Sequence, residues 1–177
     1  MFSLFFDGIQ RDLQIAILPP VLCALFRLLF IEIYRAKKSP LGEWRKWYHC
    51  FRYGFWWGMD LNAYFFLLLV LLVSLPGAFL PFYYSVGDTI RQVAVTMYAI
   101  AIYTAFLGKM IFYYHYHDIF NSTLWLGKNA EKHNLLDIFF HQDHGALLLL
   151  SYIPYTLLCW WAGKVFMLIP QLPYYHV

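Results

Sequence analysis

The sequence predicts an all-α membrane protein with about four transmembrane helices and short amphipathic helices at the membrane surface. Hydrophobic residues make up 62% of the 177 residues and charged residues only 13%, against roughly 45–50% and about 25% in soluble domains. Aromatic residues account for 22%, as expected where a chain crosses several bilayer interfaces and its rings lie at headgroup depth. The apolar runs are long and continuous, which favours helices over short alternating strands.

The first predicted span covers residues 13–34, an apolar run long enough to cross the roughly 30 Å hydrocarbon core as a helix. Arg27 lies well inside it. A mid-span arginine usually faces protein, water or a phosphate, and its fork of donors suits a lipid phosphate. Arg27 is therefore a candidate lipid-contacting residue. The alternative is that it snorkels to the interface or pairs with Glu32, about one helical turn further on.

Residues 35–58 form the first predicted interfacial segment. They contain six basic residues against one acid, Glu43: Arg35, Lys37, Lys38, Arg45, Lys46 and Arg52. Basic residues attract anionic headgroups, and the interspersed Trp, Tyr and Phe rings anchor at the interface. The segment is therefore predicted to lie on membrane lipid. Nucleic acid is not an expected partner, because these charges stand beside apolar spans.

The three remaining predicted spans cover residues 61–84, 92–114 and 145–168. The third carries small residues that let a neighbouring helix approach closely. Asp60 stands at the start of the second, where a carboxylate is costly unless it is solvated or paired, so it is a candidate for contact with Arg27 or a lipid headgroup amine. The alternative is a residue that marks where the helix enters the bilayer. We predict one membrane domain over residues 1–177.

Residues 115–144 form the second predicted interfacial segment, with amphipathic helices whose apolar residues lie in the interface. The segment also contains two short clusters of metal-ligand type, formed by His115, His117 and Asp118 and by His141, Asp143 and His144. Imidazole and carboxylate groups of this kind bind zinc, manganese or iron when they converge. Neither cluster has the spacing of a helical histidine pair. A small membrane metalloenzyme is therefore kept as the alternative hypothesis.

Three motifs carry a resemblance to a known family. They are residues 27–30 (RLLF), residues 55–62 (FWWGMDLN), which lead into a second span containing Leu75-Pro76, and residues 112–121 (FYYHYHDIFN). Together they resemble the amino-terminal membrane region of lipoteichoic acid synthase-like proteins. That family belongs to the sulfatase and alkaline-phosphatase superfamily and transfers phosphoglycerol or phosphoethanolamine headgroups. The resemblance adds His115, His117 and Asn121 to the candidate lipid-contacting residues.

The resemblance implies a membrane-anchor and lipid-facing module in the plasma (inner) membrane. In the family a fifth span and a large extracytoplasmic domain follow, with a threonine nucleophile and metal ligands. The chain ends at Val177, so we expect a fragment or a natural remnant with no catalytic residue and no cofactor of its own. A divalent metal would belong to the downstream sulfatase-like domain or subunit. A small transporter or channel is disfavoured, because no charged residue recurs mid-span beyond Arg27.

The orientation in the membrane stays open at this point. The positive-inside rule counts Lys and Arg, and six in residues 35–58 against two in residues 115–144 place both segments in the cytoplasm and both termini outside. The family resemblance implies the opposite, because a catalytic domain that is extracytoplasmic after a fifth span requires the amino terminus inside.

Overall fold

The computed structural model describes residues 2–34, 44–57, 59–116 and 144–172, and all regular structure in these ranges is helical. The α-helices are α1 (Phe2–Ala16), α2 (Leu18–Tyr34), α3 (Trp44–Trp57), α4 (Met59–Leu69), α5 (Leu75–Phe79), α6 (Pro81–Tyr116) and α7 (Gly145–Met167), with a π-helical turn (Val70–Ser74) between α4 and α5.

Four helical stretches in the described ranges are long and apolar enough to cross a membrane: Phe2–Tyr34, Met59–Phe79, Ser85–His115 and Gly145–Met167. Their large apolar side chains are widely exposed, as in Leu61 and Leu157, which are both 66% exposed. Such exposure is expected where lipid, not water, is the solvent. The predicted fold class, an all-α polytopic membrane protein, is confirmed.

The helical run that contains the first predicted span extends back to Phe2, because α1 precedes α2. α1 and α2 meet at a single turn residue, Ile17. The charged residues of α1 lie outside the predicted span, because a hydropathy sum counts each charge as unfavourable in hydrocarbon. In the structure Asp12 is fully buried and paired, so its charge does not interrupt the helix.

The second and third spans are separated at Leu80, which has extended backbone angles (φ −114°, ψ 114°). The helical conformation is disfavoured for a residue that precedes a proline, and Pro81 starts α6 because the first helical position needs no amide hydrogen. Residues 81–84, predicted as the end of the second span, therefore belong to α6. The helix that contains the third predicted span likewise begins before residue 92, at Pro81.

The π-helical turn has a local cause in the sequence. Pro76 has no amide hydrogen, and its ring would clash with the carbonyl of the residue four positions earlier in a regular α-helix. The turn widens, and the Leu75 amide donates to the Val70 carbonyl, five residues back. Val73 and Ser74 are both buried as a result. Such π-turns are frequent at functional sites.

The chain divides into two compact units. The first comprises residues 1–99 and 159–177. Its described core includes Ile15, Leu22, Val73 and Val95, where α1 packs against α4, the π-turn and α5, and α2 packs against α3. It also contains a polar contact between the last two long helices: the Gln92 amide donates to the Trp160 carbonyl at 2.8 Å.

The second unit, residues 100–158, contains the later part of α6 and the earlier part of α7. Tyr103 organises this helix pair. Its ring stacks on Tyr155 with centroids 4.3 Å apart, and its hydroxyl shares a hydrogen bond of 2.7 Å with Ser151. The Tyr152 hydroxyl donates to Thr104 at 2.9 Å. Aromatic packing and hydroxyl pairs therefore join the two helices, as is common where lipid removes the hydrophobic driving force.

Candidate functional site

Two candidate residues on the helices that pack against α3, Arg27 and Asp60, are exposed. Arg27 lies on an exposed face of α2, and no ion pair in the described residues joins it to Glu32 or to Asp60. Asp60 is exposed in the first turn of α4, where a carboxylate interacts favourably with the helix dipole. Both side chains are exposed in the described structure.

Helix α3 occupies residues 44–57 of the first predicted interfacial segment and packs against α2 and α4. Its described side chains include exposed basic and aromatic groups. We name this set the α3 surface: Arg45, Tyr48, Phe51, Arg52 and Tyr53. Tyr48 is 55% and Tyr53 61% exposed. A basic and aromatic surface beside two spans is chemically suited to lipid headgroups.

The histidine clusters fall largely outside the described residues. Of the six candidate ligands only His115, exposed near the end of α6, and His144, exposed just before α7, are described. His144 has a left-handed backbone (φ 52°), and its carbonyl accepts from the Leu147 amide at 2.9 Å. No group of three or more metal-ligating side chains could hold an ion within the described part of the chain. His117, Asp118, Asn121, His141 and Asp143 are not among the described residues.

A buried polar cluster that the sequence analysis did not predict lies at the other end of the first unit. We name it the Asp12 cluster: Asp12, Ser74 and Arg91. Arg91 Nε donates to Asp12 Oδ1 at 2.6 Å, and Arg91 Nη2 donates to Ser74 Oγ at 2.8 Å. The Ser74 hydroxyl in turn donates to Asp12 Oδ2. Asp12 is 0% exposed and Arg91 5%.

The elements that hold the cluster are three different helical segments. α1 supplies Asp12, the π-turn supplies Ser74 and the start of α6 supplies Arg91. A buried charge pair is stable only with good geometry and additional hydrogen bonds. Here the Ser74 hydroxyl contacts both charged groups, so the cluster fixes how the three segments pack together.

Two glycines create the space for the cluster. A Cβ atom on Gly8 would lie 2.7 Å from Ser74 Oγ, and one on Gly87 would lie 2.9 Å from Arg91 Nη1. Side chains in helices point back toward the preceding turn, so the long Arg91 side chain lies over Gly87. A Cβ at position 87 would therefore require the Arg91 guanidinium to shift.

A second, more exposed charge pair borders the cluster. Arg11 Nη1 donates to Asp88 Oδ2, and Asp88 Oδ1 also accepts from Arg91 Nη1 at 3.1 Å. Beside these groups is a cavity of about 220 Å³. Its walls combine apolar, hydroxyl and charged side chains, including Leu4, Arg11, Val73, Tyr83, Ser85 and Asp88. Chemically, the cavity offers hydrogen-bond donors and one partly exposed carboxylate.

One sequence signal could have found the Asp12 cluster. Gly8 and Asp12, like Gly87 and Arg91, are four residues apart in the sequence, so each glycine shares a helix face with a charged residue. Two such pairs with charges of opposite sign predict two helix faces that can approach closely around an ion pair. The partner Ser74 has no comparable signal, because its direction depends on the π-turn.

Neither models of known protein families, nor curated proteins, nor solved structures match this chain. The resemblance to lipoteichoic acid synthase-like proteins therefore depends on the sequence motifs themselves.

Proposed function

We propose that this chain is the membrane-anchoring and lipid-contacting module of a lipoteichoic acid synthase-like headgroup transferase, resident in the plasma membrane. The α3 surface is the observation that carries the proposal. The chain binds membrane lipid and positions it, while a sulfatase-like domain or subunit would supply the nucleophile, the divalent metal and the group-transfer chemistry.

The position of α3 supports contact with headgroups. The helix connects two candidate spans and packs against both α2 and α4, so the apolar length of those spans brings it close to the edge of the bilayer. Arg45 and Arg52 are exposed on it beside exposed Tyr48 and Tyr53. Aromatic rings prefer headgroup depth, and the arginines then reach the layer of lipid phosphates.

Charge also supports this role. Each Lys or Arg near an anionic membrane surface contributes about 1 kcal/mol of attraction. Residues 35–58 contain six of them against one acid, which gives roughly 5 kcal/mol if the acid cancels one. That attraction concentrates anionic lipid at the α3 surface.

Arg27 and Asp60 extend the same surface into the spans. Arg27 can form bidentate hydrogen bonds with a lipid phosphate, and the Asp60 carboxylate can accept from a headgroup amine. Both are exposed, and Arg27 forms no ion pair with the described residues.

A lipid-binding measurement tests the α3 surface. The full chain would be purified in detergent, and the number and affinity of bound phosphatidylglycerol molecules measured by native mass spectrometry. The double substitution Arg45→Gln and Arg52→Gln is expected to weaken binding about tenfold, since it removes about 2 kcal/mol of attraction and some is recovered from neighbouring bases. The matched control, Lys109→Gln and Lys164→Gln, removes the same charge from α6 and α7. Equal losses in both variants would contradict the proposal.

A topology measurement tests the narrower assignment to the transferase family. Tyr48→Cys would be introduced into a chain whose native cysteines are replaced by serine, and intact cells treated with a membrane-impermeant maleimide. The family assignment requires α3 outside the cytoplasm, so labelling is expected without lysis. Labelling only after lysis would overturn the assignment, because a catalytic domain after a fifth span would then be cytoplasmic.

A further inference from the structure

The cavity next to the Asp12 cluster is formed where three segments meet. Leu4 and Arg11 come from α1, Val73 from the π-turn, and Tyr83, Ser85 and Asp88 from the start of α6. Its volume of about 220 Å³ is large enough for a small polar group with several heavy atoms but smaller than an ordinary drug-sized pocket of roughly 300–1,000 Å³.

The cavity lies at the edge of the spans. Met59–Phe79 ends and Ser85–His115 begins on either side of the break at Leu80. A chain that reverses direction between two spans does so at or beyond the headgroup layer, because unpaired backbone groups are not tolerated in hydrocarbon. The residues just before and just after the break therefore surround the cavity at headgroup depth.

Two charged side chains at the cavity are partly exposed, and one of them has an unpartnered donor. Arg11 uses Nη1 for Asp88, while its buried Nε has no partner. The Arg11 side chain is 32% and the Asp88 side chain 42% exposed. Arg91 differs, because it is almost fully buried and donates to Asp12, Ser74 and Asp88. Arg11 and Asp88, which pair with each other, are thus the most exposed cation and anion of this group.

The charges of the site balance. The guanidinium groups of Arg11 and Arg91 face the carboxylates of Asp12 and Asp88. A purely anionic ligand would add uncompensated negative charge beside Asp88, and a purely cationic one would add positive charge beside Arg11. A ligand with one positive and one negative charge can pair with both groups and leaves no uncompensated charge.

We infer that this cavity binds the headgroup of a zwitterionic phospholipid, with the phosphodiester at Arg11 and the cationic group at Asp88. The hydroxyls of Tyr83 and Ser85 supply further hydrogen bonds, and Leu4 and Val73 contact the apolar part of the lipid near its glycerol. This site is separate from the α3 surface and does not depend on the function proposed for it.

The experiment compares lipids that share acyl chains and differ in headgroup. The full purified chain is titrated with phosphatidylethanolamine, with phosphatidylglycerol and with soluble glycerophosphoethanolamine, and bound ligand is counted by native mass spectrometry. The titration uses the chain with Arg45→Gln and Arg52→Gln, in which phosphatidylglycerol binding at the α3 surface is weakened. One phosphatidylethanolamine is expected to bind more tightly than phosphatidylglycerol, and the soluble headgroup at least about tenfold more weakly, a difference of ~1.4 kcal/mol.

Variants locate the site. Arg11→Gln is expected to weaken phosphatidylethanolamine binding about tenfold, the effect of a lost charge-assisted hydrogen bond. Asp88→Asn is expected to shift the preference toward phosphatidylglycerol, because the site then has one excess positive charge. Lys164→Gln removes a cation from the exposed end of α7 and is expected to leave binding within about twofold of wild type.

Three results would overturn the inference. The first is tighter or equal binding of phosphatidylglycerol at the site that is lost in Arg11→Gln. The second is a folded Arg11→Gln variant that binds like wild type. The third is soluble glycerophosphoethanolamine binding as tightly as the lipid. If Arg11→Gln does not fold, Ser85→Trp decides the question, because Ser85 lines the cavity and is exposed, so an indole there reduces the space for a headgroup. Unchanged phosphatidylethanolamine binding by that variant would also exclude the site.

Discussion

Replacing Asp12 with alanine tests whether the Asp12 cluster determines how α1, the π-turn and α6 pack. The substitution leaves the Arg91 guanidinium buried without its closest partner, from which it is separated by 2.6 Å. Breaking a buried ion pair on one side costs about 3–5 kcal/mol. Arg91 keeps Ser74 and the partly exposed Asp88, so we expect a loss of unfolding free energy near 3 kcal/mol.

The reverse substitution has a larger expected effect. Arg91→Met leaves the carboxylate of Asp12, which is 0% exposed, with the Ser74 hydroxyl as its remaining hydrogen-bond partner in the described structure. We expect a loss of about 5 kcal/mol. The double variant, with both Asp12→Ala and Arg91→Met, removes both charges, and its loss is expected to fall at least ~2 kcal/mol short of the sum of the single losses.

The assay is unfolding of the purified chain in mixed micelles as the fraction of sodium dodecyl sulfate rises, followed by circular dichroism. Asp7→Ala is the control, since Asp7 lies on the same helix and forms no ion pair with the described residues. A loss below about 1 kcal/mol for Asp12→Ala, or single losses that add within ~0.5 kcal/mol, would refute the reasoning.

Three further predictions concern other parts of the chain. Gly163→Val is expected to lower stability by about 1–3 kcal/mol through overpacking, because a Cβ at Gly163 would lie 2.6 Å from the Gln92 side-chain nitrogen; thermal unfolding measures it, and a melting temperature equal to that of wild type would contradict it. Tyr103→Phe removes the hydroxyl that pairs with Ser151 at 2.7 Å and is expected to cost about 0.5–1.5 kcal/mol; Tyr103→Leu should cost more, since stacking is also lost, and the reverse order would argue against this role of the ring. Metal analysis of the purified chain is expected to find well below one transition metal per chain, while a stoichiometric metal lost in His115→Ala would favour the metalloenzyme hypothesis.

The fold class was predictable because it depends on the overall composition of the chain and on the lengths of its apolar runs. The apolar fraction and the length of the apolar runs determine which solvent the chain needs and how often it crosses a bilayer. Boundaries depend on a different quantity, the free energy of each helical turn in its final surroundings. Asp12 or Arg91 alone raises the free energy of a helical turn in hydrocarbon, whereas the ion pair between them lowers it. Hydropathy sums treat each residue alone, so they do not register that these two charges stabilise each other.

The candidate site was only partly predictable for a related reason. Arg27 was selected because it lies in the middle of an apolar run, and in the structure it is exposed on α2. Arg91 lies near the start of its span and is almost fully buried. Depth along a span is visible in the sequence, whereas the face on which a side chain packs depends on the neighbouring helices. The partners of an arginine depend on the helix face from which its side chain extends. For this reason Arg91, and not Arg27, belongs to the buried Asp12 cluster.

Glycine spacing supplies the missing information about faces. A glycine four residues before a charged residue has no side chain, so it leaves space on the helix surface for the charged side chain. Gly87 does this for Arg91. At Arg27 the corresponding position is occupied by Cys23, and the arginine side chain is exposed. In a membrane a projecting arginine can reach lipid phosphates, and a recessed one can pair inside the protein. The two arginines therefore suit different roles, lipid contact for Arg27 and helix packing for Arg91, and the residue four positions earlier distinguishes them.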